Sequence, residues 1–124
     1  MKSNKIHSSN ISQTMTEVKN YVYLTLKKKP LIEKILDDVK EEAERRFNIF
    51  IQSKINFLQS IKPDDPQAFL ECFLLRGLIK ILDKMFEERN IKLSAKDKFE
   101  IESIFEELHG RDKKRKSYEY DDFP

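Results

Sequence analysis

The sequence predicts an all-α protein: a single-domain antiparallel bundle of about four helices, with a flexible polar N-terminal arm and a charged C-terminal tail. Three observations carry that expectation. Only 2 Gly and 4 Pro occur among 124 residues, whereas all-β folds use both freely in tight turns. Between Leu31 and Ser60 the apolar residues Ile32, Ile35, Leu36, Val39, Ala43, Phe47, Phe50, Ile51, Ile55 and Leu58 recur mostly at steps of three and four, the period of one helix face. From Pro66 to Arg89 the chain is apolar around most of a helical circumference, which requires neighbours on several sides. Hydrophobic residues make up 39% and charged residues 37%. That suits one core inside a highly charged surface, in a chain of single-domain length.

Taken in order, residues 1–13 are polar, rich in Ser and Asn and without periodicity, and read as a disordered arm. The bundle is expected over 14–110. Thr14 or Thr16 caps a first helix, 14–29, with Val18, Tyr21, Val22 and Leu26 on one side. The run Tyr21 to Leu26 also has strand propensity, but a lone strand would have no partner in this chain, so helix is preferred there. Pro30 disfavours α at Lys29 and suits the first turn of a new helix, 31–61.

Asp65 before Pro66 is an N-cap followed by proline at the first helical position, and opens the helix 66–89. Because that helix is apolar on most sides, a second subunit or a docked protein partner is expected beside it. Gly77, in its middle, marks a close helix crossing. Asn90 serves as a left-handed stop. Ser94 and Asp97 form a capping-box pair for a last helix, 95–109, whose buried stripe is Phe99, Ile101, Ile104, Phe105 and Leu108. Gly110 closes it, and 111–124 form the tail.

Chemistry-bearing constellations are scarce. His7 and His109 lie far apart, and the single cysteine, Cys72, sits within the apolar helix, so neither a metal site nor a reactive thiol is expected. Adjacent carboxylates such as Asp37-Asp38 and Glu106-Glu107 do not face each other on a helix. With Gly77 and Gly110 as the only glycines, no phosphate-cradling loop can be built. No catalytic residue, cofactor, metal or small-molecule substrate is therefore expected. One cysteine forms no internal disulfide, the polar start lacks the apolar run of a secretory leader, and no stretch reaches bilayer-spanning length. The expected setting is cytoplasmic, away from any membrane, or nuclear in a eukaryotic cell.

Charge is informative in its distribution, not in its net value of +2. Residues 1–29 hold six Lys and one Glu (6 − 1 = +5), residues 94–110 two Lys and five acids (2 − 5 = −3), and residues 111–116 five bases and one acid (5 − 1 = +4). Lys27, Lys28 and Lys29 end the first helix, and Arg111, Lys113, Lys114, Arg115 and Lys116 begin the tail. The plain reading is solubilising charge that complements helix C-termini. The functional reading is phosphate contact in nucleic acid, with Lys113 to Lys116 doubling as a nuclear-import run in a eukaryote. Tyr118, Tyr120 and Phe123 supply aromatic anchors for bases or for a partner groove.

The stretch from Arg115 through Ser117, Tyr118, Glu119 and Tyr120 to Asp121 and Asp122 resembles the Arg…Asp-Tyr-Asp stretch that follows the third helix in some HEPN-type helical proteins. That resemblance implies an RNA-handling or toxin-related bundle. The family's catalytic Arg with a His a few residues later is absent, since His109 precedes Arg111 and no histidine follows. The resemblance thus implies a degenerate, non-cleaving relative. Composition, spacing and charge point instead to a non-catalytic helical accessory or adaptor subunit that binds a protein partner within a nucleic-acid-handling complex. A protein-only regulator docking through its tail is the alternative.

Overall fold

The computed structural model describes residues 5–89 and 92–113, the last three of these as backbone only. The described residues form four helices, α1 (Ser8–Leu26), α2 (Pro30–Ser60), α3 (Pro66–Arg89) and α4 (Ala95–Lys113), with no strand among them. Tyr21 to Leu26 is the last part of α1, not a strand.

The start of α1 corrects the expectation of a disordered arm through residue 13. The helix begins at Ser8, after an extended His7 whose side chain makes no capping bond. Ile6 and Ile11 are each 2% exposed and belong to the core. They occupy the positions before the cap and at the end of the first turn, where two apolar residues staple the chain entry to the helix. Neither threonine caps. Thr16 donates from Oγ1 to the Ser12 carbonyl one turn back, at 3.2 Å. Thr14 is buried, and its Oγ1 accepts from Gln67 Nε2 of α3 at 3.2 Å.

At the other junctions the proline and capping logic holds. Pro30 is at the start of α2 and Lys29 before it is extended, φ −118° and ψ 128°. The 31 residues of α2 make a rod of about 46 Å. The Ala68 N–H donates to Asp65 Oδ1 at 3.1 Å and caps α3. The Asp97 N–H donates to Ser94 Oγ at 3.2 Å and caps α4. Asn90 lies outside the described residues. Gly110 does not end α4, which continues to Lys113 without a positive φ at any glycine. Phe99, expected in the buried stripe of α4, is 68% exposed; Ile101, Ile104, Phe105 and Leu108 are the buried set.

Contacts between helices define an alternating, antiparallel order. Along α1 and α2, Ser8 meets Gln59, Lys19 meets Glu44, and Tyr23 lies beneath Lys40. Along α2 and α3, Phe57 stacks near Phe73 while Phe50 abuts Gly77. Along α3 and α4, Phe86 meets Phe105 edge-on at 5.2 Å and Asp83 approaches His109. In each pair, rising numbers on one helix meet falling numbers on the next. α3 packs against α1, α2 and α4, and α1 also touches α4.

This arrangement removes the ground for expecting a second subunit. The surplus apolar surface of α3, including Phe69, Leu74, Leu78, Leu82 and Phe86, is already enclosed by its own bundle. The large apolar residues left exposed, Leu24, Ile49 and Phe99, sit on three different helices. Among the described residues, no helix is long and apolar enough to cross a membrane.

Gly77 faces Phe50 of α2 with no room for a side chain. A Cβ there would lie 2.5 Å from Phe50 Cε2, and that ring is stacked on Phe73 with centroids 5.6 Å apart. Gly110 has open space around its Cα. Gly77→Ala is expected to destabilise by about 1–3 kcal/mol through overpacking, whereas Gly110→Ala gains up to about 1 kcal/mol of helix propensity. Denaturant titration of the two variants checks this; equal and same-signed shifts would refute the close crossing.

Tyr23 is 6% exposed and its hydroxyl is buried without a hydrogen-bond partner among the described residues. Burial, and then the nearby Glu44 carboxylate, push its ionisation well above the usual tyrosine range. Tyr23→Phe removes an unsatisfied polar atom and is expected to stabilise by about 1 kcal/mol. The native state also keeps a proton that the unfolded chain releases near pH ~10. Stability therefore falls as pH rises above that value, and the fall is shallower in Tyr23→Phe. Thermal melts from neutral to alkaline pH measure both effects.

Candidate nucleic-acid interface

The first basic segment is lifted into solvent by the way α1 turns into α2. Leu26 and Ile32 are each fully buried on either side of it. Between them the Lys27 N–H closes the last turn of α1 on the Tyr23 carbonyl at 2.9 Å, and the Lys28 N–H reaches the Thr25 carbonyl at 3.4 Å. Pro30 then forces Lys29 to be extended. Two apolar anchors so close together leave Lys27, Lys28 and Lys29 in a tight corner, all three exposed.

Helix α4 reaches this corner through Glu107. Lys28 Nζ lies 3.2 Å from Glu107 Oε1 of α4. The α4 backbone then carries Arg111, Asp112 and Lys113 onward from Glu107 in unbroken helix. The structure thus sets Lys28 of the first segment against Glu107, four residues before Arg111 along α4. Lys114, Arg115, Lys116, Tyr118, Tyr120 and Phe123 lie outside the described residues.

The Lys28–Glu107 pair is weak because both side chains are more than half exposed, at 58% and 51%. Lys28 therefore remains exchangeable onto another anion. Lys27 and Lys29 have no ion-pair partner among the described residues. Behind the corner, His109 Nε2 stands 3.9 Å from Asp83 Oδ2. Burial raises the Asp83 carboxyl above its ordinary range, against the opposing pull of His109. The His109–Asp83 approach is thus a partly exposed contact between α4 and α3.

Other chemistry is sparse among the described residues. No group of three or more His, Cys, Asp or Glu side chains converges to hold a metal ion. Cys72 is a buried thiol, 2% exposed. An open cleft between α2 and the end of α3 is lined by Ile35, Asp38, Glu88, Arg89, Lys92 and Leu93, whose charges of both signs converge on no single ligand type.

The sequence names both basic segments but does not set Glu107 of α4 against the first. A bundle of alternating, equal helices sends the C-terminus of its fourth helix to the opposite end from that of its first. Here α4 reaches residue 109 while still opposite Asp83 of α3, and that offset sets Glu107 against the α1–α2 corner. Compared with protein-family models, with curated proteins and with solved structures, the chain finds no match in any of the three.

Proposed function

We propose that this protein is a non-catalytic helical accessory subunit that contacts the phosphate backbone of nucleic acid through the corner formed by Lys27, Lys28 and Lys29. The basic run 111–116, which begins four residues after Glu107 in the sequence, adds to the same electrostatic footprint. The observation that carries the reading is the position of that corner: three exposed lysines between two buried anchors, with the end of α4 tied beside them through Lys28 and Glu107. Exposed lysines on a rigid helical frame form a sequence-independent electrostatic footprint, which suits backbone contact rather than base readout. The protein-partner role belongs to the tail aromatics Tyr118, Tyr120 and Phe123, as a short linear anchor. A cytoplasmic setting, or a nuclear one with import through Lys113 to Lys116, is part of this proposal.

The test is affinity for a single-stranded and a duplex oligonucleotide across a salt series. The Lys27→Ala/Lys28→Ala/Lys29→Ala variant is expected to bind about tenfold or more weakly at low salt, with its log–log salt slope reduced by about 2–3, close to one per lost phosphate contact. Replacing Lys113, Lys114, Arg115 and Lys116 with Ala should act in the same direction. Because the corner lysines are exposed, the variant's helical circular dichroism should match the parent's. An unchanged affinity and slope in a folded variant would overturn the proposal.

A further inference from the structure

We infer that the ligand of the lysine corner is single-stranded nucleic acid, held by its phosphates on Lys27, Lys28 and Lys29 and by an unstacked base laid over Leu24 and Tyr21. The inference rests on the function proposed above and adds the substrate class. It comes from what stands beside the lysines on α1. Leu24 is 70% exposed, and Tyr21, one turn earlier, is half-buried against the core. Lys27 keeps a helical backbone, φ −74° and ψ −2°. Leu24 therefore has Lys27 and Lys28 three and four positions on, and Tyr21 three positions back. Side chains at those spacings are surface neighbours, about 5–6 Å apart at Cβ. An apolar patch thus adjoins the charge on one face of one helix.

A single exposed apolar side chain is ordinary on a protein surface, and its setting is what separates Leu24 from Ile49 and Phe99. Ile49 has Arg45 and Arg46 one turn back, and both reach the Glu42 carboxylate. Phe99 lies between Lys96 and Glu102, whose charges oppose each other. Leu24 adjoins a run of lysines open to an anion. Lys27 and Lys29 have no ion-pair partner among the described residues, and Lys28 meets one exposed carboxylate, Glu107. Charge complementarity therefore selects a polyanion as the occupant of this face.

The form of that polyanion follows from what the patch can touch. In a duplex each base is covered above and below by its neighbours, so apolar side chains beside a phosphate contact meet only the backbone. In a single strand the bases leave the stack readily, and their faces become available to aromatic and apolar side chains. A base whose own phosphate sits on Lys27 or Lys28 then has Leu24 beside it. Contact of this kind tolerates any sequence, because every base has a π-face, and it suits a footprint without base readout. The lysines supply the salt-sensitive part of the affinity, and Leu24 with Tyr21 the salt-insensitive part.

The experiment uses the full chain with a mixed-sequence DNA strand of about 12 nucleotides, within the usual site size of single-strand binders, and with the same strand annealed to its complement. At about 0.15 M salt, where purely electrostatic contacts are already weakened, the parent should bind the strand more tightly than the duplex. Leu24→Gln changes an exposed helical position, so its circular dichroism should match the parent's. Its affinity for the strand should fall by about three- to tenfold, while its salt slope and its affinity for the duplex stay as they were. The chain contains no Trp, so Leu24→Trp places a single indole on the patch. That variant should bind the strand about two- to fivefold more tightly than the parent, and its fluorescence should be quenched by the strand and not by the duplex. A duplex bound as tightly as the strand, a silent Leu24→Gln, or an indole emission that the strand leaves unchanged overturns the inference. If the Lys27→Ala/Lys28→Ala/Lys29→Ala variant loses binding in that case, the proposed function still stands. If neither oligonucleotide binds, or if the protein binds vesicles of anionic phospholipid instead, the function and the inference both fail.

Discussion

A helix that is apolar around most of its circumference cannot rest against one neighbour, and α3 obliges the rest of the chain to surround it. Its buried residues, from Phe69 to Phe86, take up almost every turn of its surface. The other helices are amphipathic and supply one apolar stripe each, closing over α3 from three sides. One tight point of that closure is Gly77 against Phe50, where the missing side chain leaves room for the Phe50 ring, itself stacked on Phe73. The topology follows from this enclosure. Short connections keep successive helices antiparallel, and α3 becomes the axis on which α1, α2 and α4 are hung.

Enclosure also decides what is left for interaction. With the apolar surface of α3 absorbed internally, the exposed large apolar residues are single and scattered, as on most monomeric surfaces. The distinctive surface is electrostatic. Charged residues occupy the outward faces, often as neighbouring opposites such as Glu42 with Arg45 and Arg46, which cancel locally. The α1–α2 corner is different: among the described residues Lys28 meets one carboxylate, Glu107, and Lys27 and Lys29 meet none. Uncancelled like charge on a rigid turn is maintained against its own repulsion, and the proposed contact with a polyanion draws on it.

Much of this was legible in the sequence. The scarcity of Gly and Pro, the three-and-four spacing of α2, the Asp65-Pro66 cap and the Ser94 cap are local signals, and local signals suffice where backbone sterics and short hydrogen bonds decide the outcome. Gly77 was legible as a close crossing for the same reason: a glycine inside a helix weakens it unless packing needs the space. The start of α1 was written in Ile6 and Ile11, an apolar pair at staple spacing within a polar stretch. The polarity of that stretch masked it. What the sequence could not determine depended on distance between elements. The exposure of Phe99, the cross-helix role of Thr14 and the continuation of α4 through Gly110 are set by which face meets a neighbour. The meeting of Lys28 with Glu107 is set by the offset of α4 along α3. Side-chain period fixes which face of a helix turns inward, but the sliding of one helix along another is decided only when their side chains pack.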